Sequence, residues 1–121
     1  MITIISPAKN LDFKTKSDLD AYSIPEYLDD SRILINELRK LNPKDIKKLM
    51  NVSDDIANLN FERNLAWKTP FNVDNAKHAI MAFKGQVYIG LDAGSFNGDD
   101  HVFAQNHLRI LSGLYGILKP L

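Results

Sequence analysis

The chain has 121 residues, 45% of them apolar, with 15 basic and 15 acidic side chains, a formal net charge of zero and no cysteine. This length fits one domain or part of a larger one, and the charge balance excludes bulk cationic coating of a polyanion while leaving room for a local basic patch. The lack of cysteine excludes disulfides, thiolate catalysis and cysteine-ligated zinc or iron–sulfur centres in this stretch. No apolar run approaches the roughly 20 residues that span a bilayer. The start, MITIISPAK, lacks the basic and long apolar regions of a signal peptide. Together these features fit a cytoplasmic address and no membrane partner.

The elements are expected as follows. Residues 2–5, ITII, read as a short buried strand that stops at Ser6-Pro7-Ala8-Lys9. Residues 6–25 read mostly as loop. From Pro25 to Leu41 the apolar positions Leu28, Leu34, Ile35, Leu38 and Leu41 recur near helical spacing. Asn42 suits an N-cap, Pro43 the first position of a second helix, and Asp54 and Asp55 the positive end of a third, on which Ala57, Phe61 and Leu65 share a face. A fourth helix is expected from about Asn72–Asp74 to Gly85, then a strand at QVYIGL. Asn97 or Gly98 caps a last helix running to about Leu111. The apolar ending, with Leu114, Ile117, Leu118 and Leu121, predicts an exposed apolar patch and a chain cut before its partner elements.

The histidines offer little metal chemistry. His101 and His107 are six residues apart and point about 120° apart on a helix. His107 falls on the stripe Phe103, Ile110, Leu111, Leu114, which predicts a core histidine. No metal ligands and no cofactor are assigned. GLDAGSFNG lacks the ending of a phosphate-binding loop, and no nucleophile–histidine–acid spacing stands out.

RKLNPKDIKKLMNVSDDIA, residues 39–57, is more informative. Arg39, Lys40, Lys44, Lys47 and Lys48 face a single Asp45 within residues 39–48. LMNVSDDIA has the apolar spacing of a helix-hairpin-helix, hydrophobic-x-Gly-hydrophobic-Gly-x-x-x-Ala, with Leu49, Val52 and Ala57 in place and Asn51 and Ser53 where the glycines stand. Asn51 tolerates a left-handed backbone and Ser53 suits an N-cap. Such an element binds phosphate through backbone N–H groups. The plain alternative is a solvated helical corner, and Asp54 and Asp55 oppose an anion there. Ser6 and Lys9 likewise read either as an anion contact at a strand end or as an ordinary turn. Arg109 reads as a second cation for such a site or as a helix C-terminal charge.

Three blocks in order, ISPAKNLDF, AFKGQVYIGL and FAQNHLRILSGLYGILKPL, resemble the bacterial YaaA family of peroxide stress proteins, from Met1 to Leu121. Family members are about twice this length, so the resemblance implies the N-terminal portion of a single YaaA-like domain over 1–121. It implies a mixed α/β (α+β) fold of short strands and several helices, with a helix-hairpin-helix-like element at 44–65. It further implies a cytosolic DNA-binding protein that limits oxidative damage to DNA and proteins under hydrogen peroxide and lowers free iron. The partner would be duplex or structured DNA, with no obligate protein partner evident. Lys44, Lys47, Lys48, Asn51 and Ser53 are then the expected DNA contacts. Ser6, Lys9, Arg109 and Tyr115 are the expected lining of an anion-binding cleft. The family brings no established reaction. The rival reading is an enzyme of unknown reaction with its pocket at Ser6, Lys9 and Arg109.

Overall fold

The first strand, β1 (Thr3–Ile5), pairs in parallel with β4 (Leu108–Ser112), and β4 pairs antiparallel with β5 (Gly116–Leu118), giving the order β1-β4-β5. These strands come from a computed structural model that describes residues 1–121. The chain divides into two compact units, residues 1–26 with 71–121, and residues 27–70. The whole is a mixed α+β fold.

In the first unit, Ile110 is fully buried and meets Tyr88 and Leu118 on one face of the sheet. Ile80, Ala93, Ala104 and Leu108 form the adjoining cluster, and Ile5 packs against both. The β4–β5 hairpin turns through residues 113–115, with Ser112 opposite Gly116. Gly116 sits at φ 76°, a left-handed geometry open to glycine at little steric cost. A second sheet pairs β2 (Asn10–Leu11) with β3 (Phe83–Lys84), antiparallel.

Between the sheets the structure departs from the expected elements. The helix expected over 72–85 is only α4 (Ala79–Ala82). The asparagines ahead of it close a local turn instead: Asn72 Oδ1 accepts from the Asp74 N–H at 2.9 Å and Asn75 Oδ1 accepts from the Asn72 N–H at 2.8 Å. Lys77 and His78 are then held by distant partners, the Asp12 and Ala21 carbonyls, both at 2.8 Å. QVYIGL, expected as a strand, is α5 (Gln86–Leu91). It buries Tyr88 and leaves Val87 and Ile89 exposed. A strand would have put those two on one face, opposite Tyr88. A single 3-10 turn follows at Ala93–Ser95.

The last helix, α6 (Gly98–His107), starts as expected at Asn97, which forms a reciprocal capping box with Asp100. It ends at His107 and not near Leu111, because Leu108–Ser112 is taken up between β1 and β5. Arg109 therefore lies on a strand and not on a helix end. The buried histidine is His101, while His107 stacks on exposed Phe103 with ring centroids 4.1 Å apart. The apolar ending is also unlike the expected patch. Leu118 and Pro120 are buried, Leu114 and Leu121 are half-buried, and of the four residues expected in the patch Ile117 alone is exposed. Leu121 accepts from the Ser23 N–H at 3.1 Å and donates its own N–H to Gln105 Oε1 at 2.9 Å.

The second unit holds three helices, α1 (Leu28–Leu38), α2 (Pro43–Met50) and α3 (Asp54–Ala66). The first is shorter than the expected 25–41 and leaves Pro25 and Glu26 outside it. It buries Ser31 and Ile35, while Leu34 is exposed. Ile46 and Ala57 are buried where α2 packs on α3. Arg39 donates from Nε to the Asn64 carbonyl at 2.8 Å and from Nη2 to the carbonyls of both Leu65 and Trp67. It thereby satisfies acceptors that the end of α3 cannot pair internally.

Candidate functional site

The α2–α3 hairpin is built by its caps. Asn42 accepts from the Asp45 N–H at 2.9 Å and Asp45 accepts from the Asn42 N–H at 3.2 Å, with Pro43 at the first helical position. Asn51 ends α2 at φ 53°, left-handed as its residue type permits, and its N–H goes to the Lys47 carbonyl. Ser53 keeps φ at −68° and caps α3 by accepting from the Ile56 N–H at 3.3 Å. Asn51 and Ser53 thus shape the turn with groups already in use.

Lys44, Lys47 and Lys48 stand three and four residues apart, so α2 presents them on one side. All three are exposed. Lys47 reaches the Asp54 carboxylate at 2.9 Å, which ties one lysine to the start of α3. Asp54 and Asp55 occupy that start, so its positive dipole end is already served by carboxylates. The cationic surface of the hairpin is therefore the flank of α2.

The sequence reading missed a second cation-bearing feature of the same unit. A shallow groove of about 480 Å³ is lined by Arg32, Asn36, Arg39, Trp67, Lys68 and Thr69, with Ile35, Leu65 and Ala66. It joins residues of α1 to the segment after α3, and no contiguous motif announces it. Arg32 pairs with Asp29 and donates to Thr69 Oγ1 at 3.1 Å. Both arginines of the groove thus have structural partners.

In the first unit, the Ser6–Lys9 turn leaves the carboxyl end of β1. The Tyr88 hydroxyl donates to the Ser6 carbonyl at 2.6 Å, and burial pushes the Tyr88 phenol up, keeping it a neutral donor. A Cβ on Gly85 would come within 3.3 Å of the Ala8 Cβ, so the chain passes closely there. Ser6 and Lys9 are exposed beyond this restraint. Arg109 is level with Ile4 across the parallel pair, and its guanidinium donates to the carbonyls of Gln105 at 2.9 Å and Leu108 at 2.7 Å. Tyr115 lies in the β4–β5 turn, edge-on to Phe71 with centroids 6.1 Å apart. Further along, hydrogen bonds from Thr15, backbone then side chain, hold the Asp12 carboxyl down at about 2, helped by the Lys14 N–H and the Lys77 ammonium.

His78 and His101 are buried with Nδ1 unpaired. No three histidine, aspartate or glutamate side chains gather into a metal-holding group. No helix is long and apolar enough to cross a membrane.

The model of the peroxide stress protein YaaA family matches residues 1–121, the whole chain. The chain belongs to the peroxide stress protein YaaA family. It is 53% identical over 121 residues to a UPF0246 protein of Dechloromonas aromatica, covering 100% of this chain and 47% of that protein. It is 50% identical over 121 residues to UPF0246 proteins of Burkholderia orbicola and Ralstonia nicotianae, covering 100% of this chain and 46% and 47% of theirs. The chain thus spans about half the length of these YaaA-family relatives.

Proposed function

We propose that this chain supplies a DNA-contacting surface to a cytoplasmic protein of the hydrogen peroxide stress response, one that limits oxidative damage to DNA and proteins and lowers free iron. Membership of the YaaA family supports the peroxide role. The observation that supports DNA contact is the flank of α2, where Lys44, Lys47 and Lys48 share one side of a capped helix beside a tight, left-handed turn. In this reading the α2–α3 pair serves as a helix-hairpin-helix. Asn51 and Ser53 set its turn, and the lysines meet phosphates of duplex or structured DNA. The test is to replace the three lysines with glutamine and titrate DNA across salt concentrations. Each lost phosphate contact lowers the salt slope of log K by about 0.9 on duplex DNA. An unchanged slope refutes the assignment and leaves the lysines as solvating residues.

A second reading, an enzyme with an anion pocket at Ser6 and Lys9, draws support from the restrained exit of the Ser6–Lys9 turn at the carboxyl end of a parallel strand. Arg109 serves it less well, since one of its terminal nitrogens, Nη1, is committed to two backbone carbonyls. An NMR titration with inorganic phosphate that leaves the Ser6 and Lys9 resonances unmoved removes this reading.

A further inference from the structure

The three-stranded sheet has one face inside the core and one face outside it. Alternation along the strands puts Ile5, Leu108, Ile110 and Leu118 on the inner side. The residues between them form the outer side. The register sets Ile4 beside Arg109 and Leu111 beside Ile117. Ile4 is 56% exposed, Leu111 43% and Ile117 45%, and Ile2, next in the alternation, is 51% exposed. An apolar sheet face of this kind is unusual on a surface that stays in water. It is more so because β1 and β4 run parallel, and parallel strands are normally covered on both faces. The first unit covers only one.

The relatives suggest the occupant. This chain matches 46–47% of their length, so more than half of each relative has no counterpart here. We propose that the remainder of the family-length chain packs on this outer face. It would bring apolar side chains onto Ile4, Leu111 and Ile117 and a carboxylate or carbonyl acceptor over Arg109. Arg109 is already suited to being covered. It lies half-buried, with two donor contacts met by the Gln105 and Leu108 carbonyls. An acceptor from the covering element would serve its remaining N–H groups.

The test uses this chain and the Dechloromonas aromatica relative side by side. This chain binds a hydrophobic dye, and Ile4→Lys and Ile117→Lys each reduce that binding, while Val102→Lys, on the exposed flank of α6, does not. The relative binds no dye. Lysine at its position aligned with Ile117 lowers its Tm by about 5 °C or more, and lysine at the position aligned with Val102 leaves it unchanged. If the first lysine prevents folding, alanine at the same position provides the same readout at smaller cost. A relative indifferent to both lysine and alanine there overturns the proposal. So does a relative whose dimer dissolves on the same substitution while its monomer keeps an unchanged Tm, since the face would then belong to a second copy.

Discussion

The α2–α3 hairpin and the segment from Asn72 to Ser112 have similar proportions of apolar residues, yet the first was readable from residue types and the second only at its Asn97 cap. In the hairpin three of the four boundaries are set by a neighbour within a few residues, Asn42 with Asp45, Asn51 with Lys47 and Ser53 with Ile56, and the end of α3 alone leans on the distant Arg39. In the other segment the decisive partners are far away in sequence. Lys77 answers to Asp12, His78 to Ala21, Tyr88 to Ser6, and Leu108–Ile110 to β1. Local chemistry is legible one residue at a time, whereas a distant partner decides between helix and strand without leaving a local mark.

The sharpest way to break this contrast is at the strand that replaced the expected end of α6. Ile110 is fully buried between β1 and β5, so Ile110→Ala should cost about 2–5 kcal/mol in urea unfolding. A cost below about 1 kcal/mol would mean that 108–112 is not held by its sheet partners. Next in size is Arg39. Arg39→Ala leaves the carbonyls at the end of α3 without their donor and should cost about 1.5–3 kcal/mol. Lysine should restore little, since its ammonium lacks the planar fork. Tyr88→Phe removes the bond to the Ser6 carbonyl and should cost about 1.5 kcal/mol, with helical signals of α5 weakened by NMR. An α5 unchanged in that variant would show that QVYIGL encodes its own helix. Ser53→Ala, a purely local change, should cost about 1 kcal/mol and disturb only the start of α3.

The smallest effect is electrostatic. Asp12 is held at about 2, below its ordinary 3.8. A depressed carboxyl stabilises the folded state above its unfolded pKa and loses that contribution as the pH falls through the folded value. Stability should therefore decline between about pH 4 and pH 2, and Asp12→Asn should flatten that decline in acid titrations followed by circular dichroism.

The limits of the reading follow from the same physics. Asn42, Pro43, Ser53 and Asn97 were legible because caps are chemical signatures. The starts of α2, α3 and α6 followed from them, whereas the mixed α+β class came with the resemblance to the YaaA family. QVYIGL was not legible, since a six-residue apolar run fits either period. Residues 103–114 fit a helical stripe and a strand alternation equally well until β1 and β5 are known. Of the site residues, the side-by-side placing of Lys44, Lys47 and Lys48 was readable from spacing alone. The employment of Arg109 on its own backbone, and the groove joining Arg32 to Trp67, depend on the folded path.

Arg39 belongs to the turn after α1, yet its guanidinium is the end-piece of α3. The last turns of the two helices consequently cannot fray separately. Release of that one side chain loosens both ends, so the last turns of α1 and α3 should open to hydrogen exchange together. A single arginine thereby sets the grain at which these two helix ends breathe.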